Sequence, residues 1–236
     1  MKCEWIELSS ADGGRVGAYV ADPGGTAPGL VLLQYICGVN EVMQRLARTF
    51  ADQGFRVAVP DLFWRQQPRV ALANDPATAS AEDQKRALAL NQAFQDAPAV
   101  DDMRTTLAWL RAHPRAGGKV GALGYCLGGR MAYLLAARSD VDCAVGYYGV
   151  NIDRYLDEVA AIDTPLLLHM AANDVLVPLT QREKICAALA PNANITVSVH
   201  AGVDHAFALE GGPNFDAAAA TRANDASLAF LEAHLR

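Results

Sequence analysis

Apolar positions along this chain change their spacing several times, and each change marks an element. Residues 4–8 roughly alternate polar and apolar, Gly13 and Gly14 supply a turn, and residues 16–20 resume the pattern, which predicts an N-terminal β-hairpin. Residues 30–33 (LVLL) form the continuous apolar run expected of a strand covered on both faces, and residues 34–38 leave it for a loop. From Asn40 the spacing becomes helical, with Val42, Leu46 and Phe50 on one face and Gly54 as the stop. Residues 56–60 read as the next strand. Residues 61–79 are rich in proline and polar side chains, a long loop of the kind that tends to carry function. Helical spacing returns over 81–94 and again over 100–112, where Met103, Leu107 and Leu110 share a face.

The remaining chain alternates strand and helix. Strands are expected at 120–123, 143–148, 165–170 and 195–199, with helices at 131–137, 180–189 and 215–235. That alternation predicts an α/β fold with a mostly parallel central sheet and helices on both faces, whose reacting groups lie at the carboxyl ends of the strands. There is no internal repeat, and no stretch rich enough in Gly, Ser or Pro to divide the chain, so residues 1–236 are expected to form one domain.

Composition narrows the partners. A net charge of −6 with no basic run gives no reason to expect nucleic acid or an anionic membrane surface. The apolar positions near the start are interrupted by Glu4 and Glu7, which argues against a signal peptide or membrane span and for a cytoplasmic location. Cys3, Cys37, Cys126, Cys143 and Cys186 are scattered without C-x-x-C spacing, so free thiols are expected, with no metal, cofactor or disulfide framework.

The chemistry concentrates at one turn. Gly124-Tyr125-Cys126-Leu127-Gly128-Gly129, between a strand and a helix, is the G-x-S-x-G nucleophile elbow with sulfur in place of oxygen. Gly124 and Gly128 leave room for the turn, and Cys126 is expected to stand exposed where the helix N-terminus favours a thiolate. A cysteine nucleophile needs a base and a group to hold that base, in the chain order nucleophile, acid, histidine. Asp174 follows the 165–170 strand and His205 follows the 195–199 strand, so both fall on the reacting edge. Asp204 is too close in sequence to His205 to orient its ring from the far side. The N–H of Leu127, with that of Ile36 after an earlier strand, would form the oxyanion hole.

These motifs, with Gln34-x-Ile36-x-Gly38-Val39-Asn40, Val59-Pro60-Asp61-Leu62 and Val145-Gly146-Tyr147-Tyr148-Gly149, make the chain resemble the dienelactone hydrolase family over nearly its whole length. The resemblance implies an α/β-hydrolase fold without a large cap, a Cys126-His205-Asp174 triad, no metal, and a small-molecule lactone or activated ester as substrate, in a monomer or small homo-oligomer. It also exposes departures. Archetypal members carry a glutamate between the positions of Gln34 and Ile36, where this chain has Tyr35. They use two arginines to hold a substrate carboxylate, at positions that correspond here to about Gln84 and to Leu209. Lys85 and Arg86 are expected on an exposed helix face instead. Tyr35, Cys37, Gln84, Leu88 and Leu209 are therefore the candidate substrate contacts, with Phe63, Trp64 and Asn91 as further wall. The expected activity is carboxylic ester hydrolysis through a thioacyl enzyme on neutral or aryl esters. Alternatives are dienelactone hydrolysis itself (carboxymethylenebutenolidase activity), phosphotriester hydrolysis by the same cysteine, and a non-catalytic binding protein on a hydrolase fold.

Overall fold

The computed structural model describes residues 1–73 and 79–236. The predicted loop 61–79 therefore lies partly outside the described residues. The chain packs into two compact units, Met1–Gly121 and Ala122–Arg236, with the divide falling inside a strand, where no linker composition could mark it.

In the first unit, β1 (Lys2–Ser9) and β2 (Arg15–Asp22) form the expected antiparallel hairpin, in register from Lys2 opposite Asp22 to Ser9 opposite Arg15. The turn closes through Ser10 N–H donating to the Gly14 carbonyl (2.9 Å) and Gly14 N–H donating to Asp12 Oδ1 (3.0 Å). β2 pairs antiparallel with β4 (Arg56–Pro60), and β4 pairs parallel with β3 (Ala27–Leu33), so this unit contributes the order β1-β2-β4-β3. Every residue of β4 is buried, as a strand covered on both faces requires.

The crossover between β3 and β4 is α1 (Glu41–Asp52), capped by Asn40, whose Oδ1 accepts from Met43 N–H (3.2 Å). Its buried face is Met43, Ala47, Phe50 and Ala51, one residue round from the predicted Val42 and Leu46, which are only half-buried. Hydrophobicity alone placed the longer side chains inward, whereas the cap fixes the phase at which the helix leaves the loop. Ser80 and Asp83 form a capping box for α2 (Ala81–Gln92), which buries only Ala87 and Leu90. α3 (Asp96–Arg111) starts before the predicted residue 100, because Pro98 sits in the first turn, where its missing N–H leaves no bond unmade. It buries Met103, Leu107 and Leu110 as expected, and Asp102 with them.

Strand β5 (Ala116–Tyr125) carries the chain into the second unit, where the order is β5-β6-β7-β8. β6 (Cys143–Tyr147), β7 (Leu166–Ala171) and β8 (Ile195–His200) are parallel, with Ala144 opposite Leu166 and Leu166 opposite Ile195. Three helices complete the unit: α4 (Leu127–Arg138), α5 (Leu179–Leu189) and α6 (Ala217–Leu235). A 3-10 segment, Ile152–Ala161, was not anticipated, although Ile152, Tyr155, Leu156 and Val159 recur at helical spacing. α6 begins just after the expected Phe215, because Asp216 caps it by accepting from Ala219 N–H at 2.8 Å.

Candidate active site

The elbow is made by one residue. β5 ends at Tyr125 and α4 begins at Leu127, so the reversal falls on Cys126, at φ 55° and ψ −111°. A non-glycine residue in such a conformation costs about 1–3 kcal/mol, so its surroundings must over-determine it. They do: Cys126 N–H donates to the Tyr147 carbonyl (3.0 Å), and the Cys126 carbonyl accepts from Gly129 N–H (3.0 Å) and Arg130 N–H (3.2 Å). The room that the turn needs lies at Gly129, where a Cβ would come within 2.5 Å of the Tyr147 carbonyl oxygen. The helix starts four residues earlier than the pattern at Met131 suggested, and Gly128 and Gly129 are in its first turn. Cys126 was expected to be exposed; it is only 7% exposed, because α4 is buried from Leu127 through Ala136. N–H groups in that first turn have no partner inside the helix, and the helix dipole there favours negative charge.

The acid is held by its own loop. Asp174, three residues beyond β7, is 4% exposed, and its Oδ1 accepts from Leu176 N–H (2.8 Å) and Val177 N–H (3.1 Å). Oδ2 is left to take the His205 ring at Nδ1, at 2.8 Å. Because an ionised carboxylate only accepts, Nδ1 carries the hydrogen, and Nε2 is the atom free for a second partner.

His205, the candidate base, comes from the loop after β8, wound by left-handed Gly202 (φ 77°) and Ala206 (φ 65°). Ala172 N–H donates to the His200 carbonyl (2.9 Å) and Asn173 N–H to the Val203 carbonyl (3.0 Å), so the ends of β7 and β8 are laced together where acid and base emerge. Burial, the largest influence on His205, disfavours its charged form. The Cys126 sulfur and the Asp174 carboxylate outweigh it and push the imidazole up to about 10. Cys126 acts there both as a charge and as a hydrogen-bond partner, yet buried Nε2 makes no hydrogen bond of ordinary distance and angle. The sulfur therefore lies within interaction range but at relaxed geometry, as resting catalytic contacts often do. Edge-on ring contacts of Tyr148 with His205 (5.0 Å between centroids) and with Phe207 (5.5 Å) wall this corner. Cys126, Asp174 and His205 are thus brought together in the second unit.

The other sequence-predicted residues fall as follows. Tyr35, Ile36 and Cys37 follow β3 in a turn closed by Gly38 N–H donating to the Tyr35 carbonyl at 3.1 Å. Ile36 and Cys37 are half-buried, and Cys37 Sγ donates to the Ala73 carbonyl at 3.8 Å. Tyr35 is buried, which pushes its phenol well above the ordinary value, and its hydroxyl accepts from Asn40 Nδ2 at 2.7 Å. Gln84 and Leu88 lie on the exposed face of α2, and Leu209 is buried in the second unit. Lys85 and Arg86 are exposed as expected, with Arg86 Nε donating to Gln67 Oε1 at 3.1 Å. Trp64 belongs to the scaffold: it packs against Leu8, Val16 and Ala18, and its Nε1 donates to Asp102 Oδ2 at 2.8 Å. None of the five cysteines is in a disulfide among the described residues. Sequence reasoning missed two polar side chains that hold the His205 backbone: Asp204 Oδ1 accepts its N–H (2.6 Å), and Asn214 Nδ2 donates to its carbonyl (2.9 Å). Asp204 had been weighed only as an orienter of the ring.

Comparison with known proteins bears on what this geometry belongs to. The dienelactone hydrolase family profile matches residues 16–235. A protein of Azospirillum brasilense that carries the carboxymethylenebutenolidase name provisionally is 44% identical, with 98% of each chain covered. A carboxymethylenebutenolidase of Pseudomonas putida is 38% identical, covering 98% of this chain and 97% of its own. This chain belongs to the dienelactone hydrolase family. A crystal structure from Klebsiella pneumoniae, provisionally named as a dienelactone hydrolase, superposes with a TM-score of 0.81 at 25% identity, covering 98% of this chain and 99% of that one. The family fold is the α/β-hydrolase fold; each unit contributes four strands, those of the second unit in the order β5-β6-β7-β8, with no large cap domain among the described residues. As a member of a hydrolase family the chain acts on small molecules, and no helix among the described residues is long and apolar enough to cross a membrane.

Proposed function

We propose that this dienelactone hydrolase family member opens an enol lactone by covalent catalysis, with Cys126 as nucleophile, His205 as proton carrier and Asp174 as the group that orients His205. The observation that carries the reading is His205 itself, bound through Nδ1 to Asp174 at 2.8 Å and raised to about 10 with Cys126 as the leading favourable influence. That arrangement supports an imidazolium held between the Asp174 carboxylate and the Cys126 sulfur. The thiolate attacks the lactone carbonyl carbon, and the oxyanion is received by the Leu127 N–H. Chain order, rather than any observed contact, nominates the N–H of Ile36 as second donor.

Collapse of the tetrahedral adduct breaks the ring C–O bond, and the enol oxygen leaves with the electron pair. An enolate or phenolate is already stabilised as an anion and needs less help from an acid in order to leave than a simple alkoxide does. Acylation also neutralises the sulfur, which removes the main influence raising His205 and lets burial lower it. The ring becomes a better acid as the leaving group needs its proton, and then a base able to take a proton from water. Hydroxide adds to the thioester, the tetrahedral adduct breaks its C–S bond to release the carboxylic acid and the Cys126 thiolate, and the proton taken from water stays on His205, which restores the starting ion pair.

The names of the relatives favour the enol lactone of dienelactone as substrate. A second reading, neutral aryl esters, is favoured by one specific observation: neither archetypal arginine position is cationic here, since Gln84 is an exposed amide and Leu209 a buried alkyl chain. An alkyl chain cannot replace a bidentate carboxylate clamp. Measuring kcat/KM for dienelactone against an uncharged aryl acetate separates them. Preference for dienelactone supports the first reading; a preference for the aryl ester that persists when salt is raised supports the second.

A further inference from the structure

Acid and base reach the site on separate loops, linked by the Asn173–Val203 main-chain bond and the Asp174–His205 contact, and a further side chain binds the backbone of both. Asp204 Oδ1 accepts from Val175 N–H (3.3 Å), the residue after the acid, and from His205 N–H (2.6 Å), the base itself. Asp174 holds only its own loop and the far side of the ring, through Leu176, Val177 and His205 Nδ1. The backbone following the base is unfavourable: Ala206 sits at φ 65°, a conformation that L-residues leave unless held. Asn214 holds the His205 carbonyl at 2.9 Å, a bond made within the base loop itself. We propose that Asp204 is a positioning residue that sets the separation of Asp174 and His205, by binding the main chain of both loops with a single oxygen.

Because both bonds end on the same oxygen, the essential property is an acceptor at that point and not the negative charge. An asparagine in the ordinary orientation presents its carbonyl oxygen there and keeps both bonds. Alanine removes both. The base loop then relaxes toward ordinary backbone angles, and a displacement of about 1 Å in a catalytic group costs on the order of 100-fold. The proposal rests on the triad reading for its kinetic consequence, although the geometric claim can be read without catalysis.

The test compares Asp204→Ala and Asp204→Asn with the parent, with Asn214→Ala as a control that loosens the base loop alone. Three quantities are measured on folded protein: kcat and KM for an ester substrate, amide exchange at Val175 and His205, and the ring titration of His205 by NMR. In Asp204→Ala the expected results are a kcat lower by about 10- to 100-fold with KM within about twofold, loss of protection at both amides together, and a lower His205 titration midpoint. Asp204→Asn restores all three to near the parent. In Asn214→Ala, protection at Val175 persists. Unchanged exchange at Val175 in Asp204→Ala overturns the proposal, and so does an Asp204→Asn that is as impaired as alanine, which would make charge the active property. A lower melting temperature with unaltered kcat and titration would reduce Asp204 to a structural role and also overturn it. Should alanine not fold, the asparagine variant decides by itself. If Cys126→Ala kept full turnover the triad reading would fall, while exchange and titration would still judge the loop contact.

Discussion

Each unit of this chain buries a carboxylate, and the two are used differently. In the first unit, Asp102 has no exposed surface and is surrounded by donors: Ser10 Oγ at 2.8 Å, Trp64 Nε1 at 2.8 Å and the Arg65 guanidinium, which also bonds Asp12. In the second, Asp174 spends one oxygen on its loop and the other on a histidine whose Nε2 is buried without a hydrogen bond of ordinary geometry. A buried polar group left short of partners is costly and persists where something else requires it. Complete satisfaction at Asp102 makes a fastener for the hairpin, the 61–65 loop and α3. On the proposed mechanism, the open position at Nε2 beside Asp174 leaves the ring able to exchange a proton next to the sulfur.

The largest effect that can break this contrast is at the sulfur. Cys126→Ala is expected to lower ester kcat by on the order of 10⁵-fold while the protein stays folded, since the residual rate of triad enzymes without the nucleophile comes only from binding and oxyanion donors. Parent-like turnover would remove Cys126 from the chemistry. Asp174→Asn comes next, with kcat down by about 10⁴-fold from the wrong ring tautomer and a fold preserved by the surviving bonds of Oδ1; stopped-flow burst analysis would locate the loss in acylation. At Asp102 the expectation reverses. Asp102→Ala leaves Arg65 half-buried without its main partner and costs about 3 kcal/mol of stability in urea melts, with kcat per folded molecule unchanged. A drop in kcat there would mean that the two carboxylates are not so cleanly divided.

A smaller effect concerns pH. His205 is raised in the folded state above its ordinary 6.5, so its contribution to stability is complete below about 6.5 and fades as pH climbs through about 10. The parent should therefore lose urea resistance over that window relative to Cys126→Ala, in which the sulfur no longer favours the charged ring. Equal slopes in the two proteins would contradict the pairing.

Much of the site could be read from the chain because its signals are local. A strand that runs into Gly124-x-Cys126-x-Gly128, and Asp174 and His205 each just beyond an apolar run, need only short windows to detect. What escaped depends on distance or on phase. Nothing local marks Asp102 as buried, since its partners Ser10, Trp64 and Arg65 come from far along the chain. The inward face of α1 was misjudged by one position because Met43 and Ala47, rather than Val42 and Leu46, follow from where Asn40 caps the helix. Asp204 was discounted for being next to His205, although that adjacency is what lets a short side chain hold the histidine's own N–H. Burial of Cys126 was hidden for a related reason: the pattern shows where a helix starts only to within a turn, and here it starts at once.

Histidine ring titration followed by NMR in the parent and in Cys126→Ala tests the sulfur–imidazole pairing most directly. The account predicts that the His205 midpoint lies near 10 in the parent and falls when the sulfur is removed, because burial is then opposed by Asp174 alone. A midpoint that is ordinary in the parent, or the same in both proteins, would contradict it.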